Sequence, residues 1–265
     1  MIKIGFIQFN PIFGKVDENN KKIEDFISKT NADLLVLLEL CNTGYMFKDK
    51  DELEHLAEEI PNGKTIREWM RIAKENNVFL VGGLAEKHGS DFYDSSVLVG
   101  PKGFVGKYRK IHLFLNEKNI FKPGDLGFNV FDTGIGKIGL MICFDYMFPE
   151  AIRVLALKGA DIICNPVNLV SPPPKVMTVM RARALENGVY TIAVNRVGEE
   201  RDHTFRGGSE IIGPRMEVLA KAGDKEEVKV IEIDLERARD KMYTKTNDLL
   251  KDRRTEFYKE IGELK

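Results

Sequence analysis

Along the first two thirds of the chain the apolar residues change period repeatedly. Runs that are apolar throughout or at every second position alternate with stretches of helical spacing. The strand-like runs are Lys3–Phe9, Leu34–Glu39, Val78–Gly82, Ser95–Val99, Lys137–Ile142, Ile162–Asn165, Tyr190–Asn195, Glu210–Ile212 and Lys229–Ile233. Interleaving of this kind predicts α/β layers. The helix expected over 65–76 places Ile66, Trp69, Met70 and Ala73 on one face, and Thr65-Ile-Arg-Glu68 reads as its capping box. Further helices are expected over 149–158, ended by Gly159, and over 175–187, with Ser171-Pro-Pro-Pro174 as the loop before it. Pro101-Lys-Gly103 joins two strand-like runs as a hairpin turn, which makes the sheet mixed and not purely parallel. "NADLLVLLE" (31–39) and "GADIICNPVN" (159–168) each follow a helical stretch with Ala-Asp and a buried run. This echo points to two similar halves and not to a short solenoid repeat.

The run "KIGLMICFDYMFPE" (137–150) ends a strand on Cys143 just before a helix start at Pro149-Glu150. Packing is the ordinary use of a free Cys. A strand-to-helix turn, however, lifts a side chain toward a helix N-terminus, where the dipole and free N–H groups favour a thiolate and an oxyanion. Partners for such a thiol have to come from elsewhere in the chain. Glu39 closes the apolar run Leu34–Leu38, an awkward place for a carboxylate unless it reaches solvent or a partner. Lys107, Arg109, Lys110 and His112 form a basic strand whose ordinary reading is a solvated edge.

Composition narrows the remaining options. With 265 residues, 43% of them hydrophobic, the chain can bury a large core; no interdomain linker is evident, so one domain is read over 1–265, with a C-terminal tail from about 235. A net charge of −1 gives no footprint for a nucleic-acid backbone or an anionic membrane, which leaves small molecules as the expected ligands. "MIKIGFIQFNPIFG" has no secretory apolar region, and no apolar run approaches membrane length, so a cytoplasmic location is expected. Three Cys without CxxC spacing are read as free thiols. Gly134-Ile-Gly136-Lys-Ile-Gly139 fits GxGxxG but leads into a strand, so it is read as a tight hairpin turn, and Asn62-Gly-Lys-Thr65 as a helix start. His55, His88, His112 and His203 share no metal-ligand spacing, and neither a metal nor a cofactor is expected.

Glu39, Lys110 and Cys143, in that order and with their flanks, resemble the signature of the nitrilase, or carbon-nitrogen hydrolase, superfamily. "MIKIGFIQFNP" resembles its opening strand, "LLELCNTGY" its Glu motif, "GKYRKIHLF" its Lys motif and "KIGLMICFDYMFPE" its Cys elbow; "RARALENGVYTIAVNRVG" and "FRGGSEIIGP" resemble later segments. Glu117, in "NEKNIFKPGD", matches a further acidic position near the family's catalytic site. Three departures stand out: Leu38 where a Pro usually precedes the Glu, Asp94 where an Asn is usual, and Met216 at a common Gly position.

The resemblance implies a four-layer αββα sandwich with mixed sheets. It implies too a homodimer or higher even oligomer, formed through helices matching 149–158 and 175–187; Val176, Val179, Met180 and Ala184, with Ile152, Leu155 and Ala156, are the apolar residues expected there. In the chemistry so implied, Glu39 takes the thiol proton and Cys143 attacks an amide carbonyl. Lys110 and the backbone N–H of Phe144 hold the oxyanion, and Glu117 orients Lys110 and substrate. Tyr45 and Asn168 are assigned to the oxyanion or substrate-binding side. Cys-Phe-Asp at 143–145 resembles the elbow of aliphatic and ω-amidase branches, so small linear amides are the expected substrates. Nitriles and N-carbamoyl amides remain alternatives, as do an inactive scaffold and a Cys-His hydrolase using His112 or His203. On this reading Glu39→Gln and Lys110→Ala abolish turnover and leave thermal unfolding nearly unchanged.

Overall fold

The computed structural model describes residues 1–170 and 174–263. Its first half runs β1 (Ile2–Gln8), α1 (Val16–Ile27), β2 (Leu34–Val36), α2 (Lys50–Leu56), α3 (Lys64–Glu75), β3 (Phe79–His88), β4 (Asp91–Gly100), β5 (Gly103–Arg109) and α4 (Glu117–Ile120). The second half runs β6 (Val130–Asp132), β7 (Lys137–Leu140), a 3-10 turn (Cys143–Met147), α5 (Pro149–Leu157), β8 (Ile162–Pro166), α6 (Pro174–Asn187), β9 (Tyr190–Val194), β10 (Val197–Glu200), β11 (His203–Arg206), β12 (Glu210–Ile212), β13 (Val218–Lys221), β14 (Glu227–Ile233) and α7 (Glu236–Arg239).

Two six-stranded sheets result, ordered β14-β1-β2-β3-β4-β5 and β13-β12-β9-β8-β7-β6, with β10 and β11 forming a separate ribbon. In each sheet three parallel strands (β1-β2-β3 and β7-β8-β9) are flanked by antiparallel ones. The sheets are therefore mixed, and the hairpin turns at Pro101–Gly103 and Gly134–Gly136 form as the sequence predicts. The echo of Ala-Asp is a true structural repeat. Asp33 accepts a bond from Lys3 N (2.7 Å) and Asp161 from Lys137 N (2.9 Å), so each carboxylate ties the start of one parallel strand to its neighbour.

The sheets pack face to face, β1 against β9 and β3 against β8. Ile23 and Ile27 of α1, with Ile66, Trp69, Ile72 and Ala73 of α3, cover the outside of the first sheet. Gly82 is obligatory beneath that cover, because a Cβ there would stand 2.7 Å from the Trp69 ring. Ile152, Leu155 and Ala156 of α5, with Val176, Met180 and Ala184 of α6, cover the outside of the second sheet against Met141, Ile163, Ala193 and Ile212. The expected αββα layering is thus present.

Two local expectations change. At the start of α3 the N-cap residue, Gly63, offers no side chain; Thr65 turns its hydroxyl and N–H to Glu58, and Glu68 accepts from Asn20, so the capping box does not form. Of the α5 and α6 residues expected at a subunit contact, all but half-buried Val179 pack into this chain's own core; Val154 and Leu157 are the exposed large apolar residues of α5. Of the Pro-rich loop, 171–173 lie outside the described residues. Among the described residues no helix is long and apolar enough to cross a membrane.

Candidate active site

Cys143 opens the turn between β7 and α5 with φ +43°, the left-handed region that non-glycine residues rarely enter. What holds it there is Asp145. Its fully buried carboxylate accepts from Ile142 N (2.9 Å), Tyr108 Oη (2.7 Å), His112 N (3.2 Å) and His112 Nδ1 (2.7 Å). The His112 ring also stacks on Phe148 at 3.6 Å. His112 is therefore committed to Asp145, not to the thiol, and His203 sits on β11 paired with Glu200. Asp145 itself has no oxygen left for a substrate, so its place after the nucleophile is explained by bracing the elbow. It carries no direct preference for amides.

Strand alternation delivers the cation. On β5 and just beyond it, Lys107 and Arg109 face Glu86, while Tyr108 and Lys110 face the other way, toward Asp145 and Glu39. The basic stretch is thus a pair of ion-paired networks and not a solvated edge. The Lys110 backbone N–H donates to Asp94 O (2.8 Å), fixing the stem. Its ammonium, fully buried, lies 2.6 Å from Glu39 Oε1, 2.7 Å from Glu117 Oε1 and 3.4 Å from Asp94 Oδ2. The acidic oxygens of Glu39, Asp94 and Glu117 all lie within 4.8 Å of one another, a spacing that suits a cation, and the Lys110 ammonium supplies that charge.

Glu39 reaches the cluster because the chain leaves β2 and runs against β3. Gly83 N donates to Leu38 O (3.1 Å) and Cys41 N to Gly83 O (2.9 Å). A Cβ on Gly83 would meet Leu40 N at 2.6 Å and Glu39 Cα at 2.7 Å, so only glycine permits the approach. This ladder, with Leu38 fully buried, holds the segment without the usual Pro. Leu40 follows at φ +49°. Asn168 Nδ2 donates to Glu39 O (2.7 Å), and its backbone N–H contacts the Cys143 sulfur. Glu117 is anchored by Phe114 N (2.8 Å) on Oε2 and by Tyr45 Oη (2.7 Å) on Oε1. Phe144 turns its ring among Phe114, Tyr146 and Phe148.

Every expected site residue thus lies in or beside one buried cluster. Burial, reinforced by the Glu39 charge, pushes the Cys143 thiol well above its ordinary pKa, against the pull of Lys110. Cys143 therefore favours the thiol form, in keeping with the expectation that Glu39 takes its proton: burial outweighs the pull of the helix N-terminus and of Lys110. Burial likewise raises Glu39 despite Lys110. The carboxyl groups around Lys110 hold its own pKa well up against burial, so the ammonium keeps its charge. A neutral thiol, a carboxylate base and a fixed ammonium are the parts needed to attack a carbonyl and hold the oxyanion. Cys41 and Cys164 are free and fully buried; Cys41 Sγ donates to Gly83 O at 3.3 Å, and burial raises both thiols.

Sequence reasoning missed the supports. Glu200 of β10 accepts from Tyr45 N (2.8 Å) and Met46 N (2.5 Å) and pairs with fully buried Arg196, which lies 4.3 Å over the Phe205 ring. Its signal, an Arg directly after the apolar run Tyr190–Asn195, is too generic to be found without the fold.

The chain is similar over nearly its whole length to known proteins. The chain is 51% identical over 263 residues to a "Nitrilase" of Pyrococcus abyssi, covering 97% of this chain and 99% of that protein. It is 38% identical over 226 residues to an "(R)-stereoselective amidase" of Pseudomonas sp, covering 84% and 80%. The solved carbon-nitrogen hydrolase of Helicobacter pylori G27 superposes with TM-score 0.90 at 32% identity over 98% of both chains. The profile of the Carbon-nitrogen hydrolase family matches residues 3–243, nearly the whole span over which sheets and cluster are built, and the chain belongs to that family of enzymes.

Proposed function

We propose that this hydrolase cleaves small linear primary amides to carboxylate and ammonia through a Cys143 thioester. The observation that carries the reading is the buried Lys110 ammonium, held between Glu39 and Glu117 beside the thiol. Glu39 takes the Sγ proton as sulfur bonds to the carbonyl carbon, and the oxyanion forms against Lys110 and the Phe144 N–H. Glu39 returns that proton to the departing nitrogen, the C–N bond breaks, and ammonia leaves. Water then gives a proton to Glu39 and its oxygen to the thioester, and the proton passes to sulfur as the carboxylic acid departs. Glu117, itself held by Tyr45 and Phe114 N, fixes the direction of the ammonium.

An amide reaches a tetrahedral oxyanion in its first step, the species this cation and N–H suit; a nitrile first gives a thioimidate nitrogen. The nitrile is the second reading, favoured by the relative named a nitrilase. Comparing kcat/KM for propionamide and propionitrile separates the two, and the amide is expected to lead by about tenfold, roughly 1.4 kcal/mol of transition-state preference. A tenfold lead for the nitrile overturns the amide reading. We propose further that two copies associate through outer faces that include Val154 and Leu157 of α5; a 30 kDa monomer by light scattering at micromolar concentration would contradict this.

A further inference from the structure

Asp94, on β4, stands where the resemblance leads one to expect Asn, and nothing in the mechanism uses it. It is fully buried, yet neither carboxyl oxygen receives a hydrogen bond from the described residues. The nearest cation, Lys110 Nζ, is 3.4 Å from Oδ2. Glu39 Oε2, also without a donor, belongs to a carboxyl within hydrogen-bonding reach of Asp94. The two other carboxylates are better served: Glu39 Oε1 accepts from Lys110, and Glu117 accepts from Lys110, Tyr45 and Phe114 N. With all three ionised, the cluster would hold three negative charges against one positive, out of contact with water. A buried, donor-less carboxylate facing another carboxylate is the costliest member of such a set.

We propose that Asp94 is a neutral carboxylic acid whose O–H donates to Glu39 Oε2, supplying the hydrogen bond an Asn amide would supply and thereby positioning the base. Burial and the Glu39 charge both raise the Asp94 pKa well above the carboxylate range, and Lys110 only partly opposes them. The groups that act on Asp94 are Glu39 after β2, Lys110 after β5 and Glu117 of α4; Cys143 and Tyr45 complete the cluster. Unlike an amide, this donor can be titrated away. Above its pKa Asp94 loses the proton, the bond to Oε2 goes with it, and a second negative charge stands beside Glu39. Turnover therefore acquires an alkaline limb that belongs to Asp94. Stability has the matching sign: the folded state binds a proton the unfolded chain has released, so stability falls as pH rises from the ordinary Asp range to the raised pKa.

The inference rests on Glu39 as the base, so the test has arms that need no turnover. Infrared difference spectra of wild type minus Asp94→Asn should contain the C=O stretch of a protonated carboxylic acid at neutral pH. Urea unfolding should show wild type losing stability relative to Asp94→Asn as pH rises above about 4. In kinetics, Asp94→Asn should keep kcat/KM within about threefold of wild type at neutral pH and lack the alkaline limb. Asp94→Ala should lose roughly tenfold to a hundredfold, the rate equivalent of one hydrogen bond to a charged group. Absence of the acid band, or an Asn variant as impaired as the Ala variant, overturns the proposal. If Asp94→Ala does not fold, the band and the Asn variant still decide. If no variant and no wild type turns over an amide, the base reading fails while the infrared and unfolding arms still report the proton.

Discussion

Removing the Lys110 charge separates the structure's expectation from the sequence's. Lys110 is fully buried with its ammonium 2.6–3.4 Å from three carboxyl groups. Lys110→Met keeps most of the volume and deletes the charge, so little of its effect is cavity formation. Breaking a buried ion pair by removing one partner costs about 3–5 kcal/mol, because the opposite charge is left uncompensated. For a domain of this size that is a drop in Tm of roughly 6–20 °C. The loss must depend on pH. Glu39 and Asp94 already bind protons more tightly than an unfolded chain, whose carboxyl groups titrate near 4, and Lys110 is what restrains Glu39. Without it the folded variant retains more protons than folded wild type. Its stability deficit therefore widens as pH rises above about 4, by about 1.4 kcal/mol per unit for each extra proton held, until the shifted pKa is passed. Glu39→Gln removes a negative charge from a set with too many and should unfold no more easily than wild type at pH 8, though equally inactive. Urea melts of wild type, Lys110→Met and Glu39→Gln at pH 5, 6, 7 and 8 read all of this directly. A Lys110→Met deficit below about 1 kcal/mol at pH 8, or one that does not change with pH, would refute the buried-charge account and restore the expectation of an unchanged melt.

Asp145→Asn presents an NH2 where Tyr108 Oη or backbone N–H groups now donate, leaving at least one buried donor unsatisfied; a loss of about 2–4 kcal/mol by urea unfolding is expected, together with lost turnover as the elbow relaxes. An undiminished stability would show that the elbow does not depend on this carboxylate. Alkylation with peptide mapping should label Cys143 before Cys41 and Cys164. Neutral iodoacetamide should react faster than anionic iodoacetate by at least tenfold, because the reagent must approach a cluster whose carboxyl groups outnumber its one ammonium. Equal rates, or prior labelling of Cys41, would contradict the charge balance or the assignment of the nucleophile.

Legibility followed the range of the interactions. The central parallel strands and helices α3, α5 and α6 came from period and from their Pro and Gly boundaries, because burial of a sheet or helix face writes itself into nearby residues; α2 did not. The strands at 197–200, 203–206 and 218–221 did not, since a partly exposed ribbon or edge strand leaves little apolar pattern. Thr65 does not form the capping box its spacing predicts, because Glu58, seven residues earlier, takes its hydroxyl and N–H. Glu39, Lys110 and Cys143 could be named from residue type, order and flanks, a resemblance no single spacing supplies. What the order could not give is that Asp145 is spent on the elbow, that His112 is committed to it, or how burial and Lys110 divide the protons of the cluster. Those outcomes depend on distances between groups 33 to 104 positions apart, and on how completely two sheets exclude water from between them. Sequence fixes which charges exist; only packing decides which are paired, which keep a proton and which are left to react, because the cost of a charge is set by its surroundings.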